Sequence, residues 1–191
     1  MRCRLLSLLL LIVFTMTGCA GHTPKTGQQA LDFRTALMEQ GGCSFTAQIT
    51  ADYGSRVYSF TVDCVNEKDR TQIQVLEPES IADIRATVSA DGTKLAFDGA
   101  ELDFGKLANG HVSPITAPWL IHHCWIGEYI AWSGNDGDLE RVTYLSGYDE
   151  EELTVDTWFS DGIPIRSEVV YDGVRCLVLE LSDFQMNGSQ Q

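Results

Sequence analysis

Two runs of strict alternation, set on either side of a glycine-containing break, constrain this chain more than any other feature. Cys43, Phe45, Ala47 and Ile49 alternate with Ser44, Thr46, Gln48 and Thr50. Beyond Asp52-Tyr53-Gly54-Ser55, the residues Tyr58, Phe60, Val62 and Cys64 alternate with Ser59, Thr61 and Asp63. A period of two puts each apolar set on one face of a strand, and two such runs around a tight turn make an antiparallel hairpin. With Tyr53-Gly54 as a two-residue turn, Ile49 faces Tyr58, Ala47 faces Phe60, Phe45 faces Val62 and Cys43 faces Cys64. A slip of one residue would set this face against Ser59, Thr61 and Asp63. Directly opposed strand residues stand ~4.5–5.5 Å apart, so this register selects Cys43 and Cys64 as a disulfide pair.

The device recurs along the chain. With Gly99-Ala100 as a turn, Phe97 faces Leu102 and Leu95 faces Phe104. Further strands are predicted over 72–76, 84–90, 141–145, 153–159, 165–171 and 174–181, and Asp91-Gly92, Asp161-Gly162 and Asp172-Gly173 favour tight reversals between them. The last of these strands, VRCLVLEL, is apolar on both sides and predicts a strand covered on both faces. Two segments break the pattern. Ala30, Phe33 and Leu37 recur at helical spacing before Gly41-Gly42, which predicts a short helix over 28–40. Pro118 to Trp132 (PWLIHHCWIGEYIAW) has few turn residues and begins at prolines suited to a first helical turn, which predicts a helix inserted between two meanders.

The N-terminus is of another kind. Arg2 and Arg4 precede an apolar run from Leu5 to Phe14, broken only by Ser7, and Met16-Thr17-Gly18-Cys19 follows. A basic start, a short apolar core and small residues make a secretory leader, since a permanent span needs ~20 apolar residues. The segment resembles the lipobox of bacterial lipoproteins, which implies that Cys19 becomes a diacylglyceryl-bearing N-terminus and that Met1 to Gly18 is removed. The chain carries 13 basic and 27 acidic residues, a formal charge of −14. That balance excludes nucleic acid, whose affinity rests on Lys and Arg neutralising phosphate. It also leaves the acyl anchor to hold the membrane without a basic patch.

A membrane lipoprotein with an N-terminal helix, consecutive hairpins, an inserted helix and a final meander resembles the LolA/LolB-like superfamily. The stretches that carry the likeness are Pro78-Glu79-Ser80-Ile81, Gly110-His111-Val112-Ser113-Pro114 and Thr157-Trp158-Phe159-Ser160-Asp161-Gly162-Ile163-Pro164. The resemblance implies a mainly β (α+β) fold: an antiparallel half-open β-barrel whose concave face is covered by the inserted helix. The chain is expected to divide into a leader (1–18), a lipidated tether (19–29), one LolA/LolB-like domain (30–186) and a disordered tail (187–191). The resemblance implies a non-catalytic lipoprotein on the extracytoplasmic face of the cell membrane, binding a lipid, acyl chain or other apolar ligand. Its spore-germination branch implies instead a lipoprotein that binds an envelope partner such as a cell-wall amidase.

The residues themselves add little chemistry. His122-His123-Cys124 is the one metal-like cluster, but helical neighbours point ~100° apart and cannot converge on an ion, so no metal is expected. Asn135-Asp136-Gly137-Asp138 reads as a turn, and the acids from Asp149 to Glu152 as a solvated loop. No catalytic residue or cofactor is expected. Cys124 and Cys176 either form a second bridge, pinning the inserted helix to the last strand, or stay as buried thiols. Phe45, Phe60, Phe97, Phe104, Trp119, Trp125, Trp132 and Trp158 are candidates to line an apolar cavity, or else ordinary core. Replacing Cys19 by serine is expected to abolish palmitate labelling and to release the chain from sedimenting membranes.

Overall fold

A computed structural model describes residues 27–103, 113–147 and 152–189. Cys19, His22, Phe104, His111 and Asp149 to Glu151 lie outside the described residues. The fold is a single antiparallel sheet with two helices on one face. Helix α1 (Gln28–Glu39) leads into β1 (Gly42–Asp52), β2 (Val57–Glu67), β3 (Arg70–Glu77), β4 (Arg85–Ser89), β5 (Gly92–Phe97) and β6 (Ala100–Asp103). Helix α2 (Ala117–Gly127) follows, then β7 (Tyr129–Asp136), β8 (Leu139–Ser146), β9 (Leu153–Ser160), β10 (Ile163–Tyr171) and β11 (Val174–Met186). The 11 strands lie in the order β6-β5-β4-β3-β2-β1-β11-β10-β9-β8-β7, so the first and last strands meet in the middle. Among the described strands the sheet does not close, and β6 and β7 are its two edges.

Turn chemistry accounts for most of the registers. Asp98-Gly99, Asp161-Gly162 and Asp172-Gly173 hold both residues at positive φ (48° and 77°, 51° and 79°, 48° and 71°), the type I′ geometry whose twist matches that of the strands. Two expected registers differ from the observed ones, each by two residues. Asp52 pairs with Val57, so Tyr53–Arg56 is the loop, closed by Tyr53 N–H donating to Arg56 O at 3.0 Å and Gly54 N–H to Asp52 Oδ1 at 2.8 Å. Ile49 therefore faces Phe60, Ala47 faces Val62, Phe45 faces Cys64 and Cys43 faces Asn66. Likewise Phe97 faces Ala100 and Leu95 faces Leu102 across Asp98-Gly99. A shift of two preserves the face of every side chain, so alternation cannot detect it; the turn decides.

Three other expectations are corrected. The turn expected at Asp91-Gly92 centres on Ala90-Asp91, because Ser89 pairs with Gly92. The inserted helix stops at Gly127 and not at Trp132; Glu128 is extended and Tyr129 begins β7, paired with Leu145. Sheet pairing to β8 outweighs the helical spacing of the last residues. Strand β11 is fully buried on one face only: Leu177, Leu179 and Leu181 are buried, while Cys176 and Val178 are half-buried and Val174 is exposed. Gln28 and Gln29 form the first turn of α1, and Asn187 donates to Asn66 O at 3.1 Å.

The helices are bound to each other as firmly as to the sheet. Phe33 of α1 meets Trp125, Phe159 and Phe184 at ring-centroid distances of 5.6, 5.2 and 5.8 Å. The Arg34 guanidinium donates to the carbonyls of Trp125 (2.7 Å), Cys124 (3.1 Å) and Glu128 (2.7 Å) at the end of α2, where the Cys124 oxygen also accepts from Glu128 N–H at 3.3 Å. At the other end of α1, Gly27 N–H donates to the buried Glu140 carboxylate at 2.7 Å, an anion placed at a helix N-terminus. Replacing Arg34 by methionine keeps the apolar stem and strands the carbonyls. The expected loss is about 2–3 kcal/mol in urea unfolding, with the slope of the transition unchanged.

Candidate functional site

The concave face is the place where a half-open barrel would hold an apolar guest. Here its centre is occupied by the protein itself. Trp125 hangs from α2 into the sheet with no exposed surface, and its ring lies 5.9 Å from Phe45 and 6.3 Å from Phe184. Phe45 and Phe184 stack at 6.3 Å with an interplanar angle of 9°. The indole N–H donates to Thr157 Oγ1 at 3.0 Å, and Thr157 lies 3.0 Å from Ser167 Oγ, so the one polar atom of the plug is satisfied. Ile121, Cys124, Val142, Val155 and Leu179 complete the fully buried surroundings.

The candidate cavity-lining aromatics do not converge. Phe45 and Trp125 belong to this core. Phe60 packs at its margin and borders an open depression of about 540 Å³, shared with Gln48, Thr61, Leu76, Glu77 and Pro78. Phe97 is exposed on β5, beyond the reach of α2, and Trp119 stacks on His123 at 5.1 Å. Trp132 and Trp158 are on the opposite, convex face, because Val155, Thr157 and Phe159 take the inward positions of β9.

The cysteines and histidines are likewise separated. Cys43, Cys64, Cys124 and Cys176 are all free thiols. The observed register sets Cys43 opposite Asn66, which removes the facing arrangement on which the first bridge rested. Asn66 is held by a hydrogen bond from Thr71 at 2.7 Å and donates to Cys43 Sγ at 3.8 Å. Burial pushes the Cys43 thiol up to about 12 and the Cys64 and Cys124 thiols well up too, so these behave as small apolar groups. Cys176, on β11, donates to Val169 O at 3.3 Å and is not joined to Cys124. His122 is buried with Nε2 unpartnered, and His123 is turned outward, 3.3 Å from Glu128. Among the described residues, no three His, Cys, Asp or Glu side chains are grouped to hold a metal ion. Of the acidic run, Glu152 is described and exposed. Asn135 and Asp136 end β7, paired with Glu140 and Leu139, and Gly137-Asp138 is the β7–β8 turn, with Gly137 at φ 64°.

What the sequence did not disclose is on the convex face. Arg141 lies between two indoles, its guanidinium 5.7 Å from the Trp132 ring and 5.3 Å from that of Trp158. Arg166 follows on the other side of Trp158 at 5.6 Å. Cross-strand pairing makes the row continuous: Arg141 faces Trp158 and Arg166 faces both Trp158 and Glu180. Carboxylates brace it from below. Arg141 donates to Asp156 at 2.7 Å, Arg166 to Glu180 at 2.8 Å, Arg175 to Glu168 at 3.1 Å, and Trp158 Nε1 to Asp136 at 2.8 Å. Trp132, Arg141, Trp158 and Arg166 come from β7, β8, β9 and β10, so only the registers assemble them. Aromatic residues at outward positions next to arginine were the available signal.

No family model matches the chain, and no curated protein matches it. Solved structures with a similar course of the chain include the following three. A LolA superfamily protein from Nitrosomonas europaea is 10% identical, with a TM-score of 0.44 over 84% of this chain and 93% of that one. Lipoprotein LppX of Mycobacterium tuberculosis is 10% identical, with a TM-score of 0.40 over 82% and 91%. A chain from the complex of the CwlD amidase with the GerS lipoprotein of Clostridioides difficile is 12% identical, with a TM-score of 0.41 over 83% and 94%. These values describe a shared outline. The functional reading rests on the geometry above.

His122 gives that geometry a pH dependence. Burial, and then the neighbouring His123, hold its pKa down at about 4, against 6.5 for a free imidazole. The unfolded chain therefore binds more protons between these values, and stability falls as the pH drops from about 6.5 toward 4. At 1.36 kcal/mol per unit, the loss attributable to this ring is about 3 kcal/mol. Thermal unfolding midpoints across that window should decline more steeply for the native chain than for His122→Leu.

Proposed function

We propose that this chain is a membrane-tethered, extracytoplasmic lipoprotein, anchored through Cys19, that is non-catalytic and acts by binding a protein partner of the cell envelope. The observation that carries this reading is Trp125. Its fully buried indole occupies the centre of the concave face, where an acyl chain would otherwise lie. An interior packed to the density of a protein core has no room for a lipid tail without expelling that side chain. Recognition then falls to the outer surface, where tryptophan, tyrosine and arginine are exposed together. The charge of −14 favours a basic partner, and a cell-wall amidase is the class that the family resemblance implies.

A second reading, binding of an apolar ligand, is favoured by one feature. Phe97 and Leu102 are 45% and 54% exposed at the β5–β6 end of the sheet, past the cover of α2. A dansylated fatty acid titrated into the unlipidated Cys19→Ser chain distinguishes the two. The expected result is no saturable uptake and no energy transfer from tryptophan. Saturable uptake that Phe97→Asp abolishes would establish the lipid-binding reading in place of the first.

A further inference from the structure

Among the described strands, β7 has a partner on one side only. Natural sheets protect such edges by shortening them or by adding lysine or proline. The opposite edge carries charge: the described residues of β6 include Glu101 and Asp103. Strand β7 is 8 residues long and contains no lysine, arginine or proline. A bulge between Ile130 and Trp132 bends it, yet Tyr129 and Trp132 remain 70% and 49% exposed.

The exposed indole is also held in place. Trp132 lies over Gly134 so closely that a Cβ there would come within 2.4 Å of its ring, and Arg141 approaches the same ring at 5.7 Å. A large aromatic ordered before contact loses little freedom on binding, and Trp, Tyr and Arg are the residue types that dominate interface energies. The charge around the edge has one sign. Glu128, Asp136 and Asp138 flank or end the strand, and the segment 128–138 has no basic residue. Arg141, just inside, is already paired with Asp156.

Resting on the protein-binding reading above, we propose that β7 receives an extended, arginine- or lysine-bearing segment of a partner protein as an added strand. One cation of that segment stacks on the open side of Trp132, continuing the alternation of indole and guanidinium by one step. Backbone pairing supplies affinity and the acidic flanks select the charge. A second copy fits less well: an antiparallel pair of β7 edges would bring Glu128 of each copy toward Asp136 and Asp138 of the other.

Hydrogen–deuterium exchange on the full Cys19→Ser chain tests this with an alternating arginine–valine octapeptide and its glutamate–valine counterpart. The amides of Tyr129–Asp136 should gain protection with the arginine peptide alone. Trp132→Ala should weaken that binding about tenfold while exchange in the remaining strands stays native. No protection at β7, equal protection by the glutamate peptide, or protection at another edge overturns the proposal. Protection that rises with chain concentration in the absence of peptide also overturns it and makes the occupant a second copy. The fatty-acid titration reads the interior and not the edge, so failure of the functional reading and failure of this proposal give different signatures.

Discussion

A chain that leaves one edge of an open sheet and re-enters at the other must cross a face of that sheet, and the rest of this structure depends on that crossing. Because β1 and β11 pair in the middle, β6 and β7 end up at opposite edges, and the segment joining them carries α2. An apolar face needs cover, and the connection supplies it. Trp125 is the deepest part of that cover, and Arg34 fastens its far end by binding the carbonyls where α2 ends. The N-terminal helix thus contributes both ring packing and a charge-assisted clasp, and it is itself placed by Glu140 of β8. Three distant parts of the sequence meet in one arrangement, so each is fixed by the other two.

The same arrangement divides the molecule functionally. Inside, aromatic rings and thiols raised in pKa by burial make a chemically quiet core. Outside, the convex face of β7 to β10 carries a ladder of alternating indole and guanidinium groups, with carboxylates answering each cation. Individual surface ion pairs contribute little, but a network with good geometry orders its members. Order of that kind is what a recognition surface requires. The candidates for a ligand cavity, chosen because they were aromatic, are thereby sorted by strand parity: Phe45 inward, Trp158 outward.

Much of the fold was legible. The alternation around 43–64, the Asp161-Gly162 and Asp172-Gly173 turns and the spacing of Ala30, Phe33 and Leu37 are local properties, and local physics sufficed to place most strands, those two reversals and α1. The misplaced registers show where such reasoning stops. Moving a strand by two residues leaves every apolar group on its face, so Ile49 meets an aromatic ring whether the partner is Tyr58 or Phe60. What discriminates is the four-residue loop Tyr53–Arg56, held by Asp52 and by its own backbone. The direct facing of Cys43 and Cys64 belonged to the expected register; in the observed one Cys43 stands opposite Asn66. The end of α2 was missed for a related reason: Tyr129–Trp132 suits a helix or a strand, and the unpaired side of β8 chose the strand.

By itself, the sequence determined the fold class of this protein: alternating β-strands with tight turns, an amphipathic helix at the front and an excess of acidic residues, with an N-terminal apolar run ending at a cysteine that resembles a lipid attachment site. Those features arise within a few residues of one another and act through backbone preference and burial. Tertiary structure alone decided that Trp125 is buried at the centre of the concave face, that Cys43 stands opposite Asn66, and that Trp132, Arg141, Trp158 and Arg166 form a row. Each of these depends on which residue of one strand stands opposite which residue of the next. That correspondence is set by loop geometry and by the packing of α2 across the sheet, over separations that no local pattern encodes.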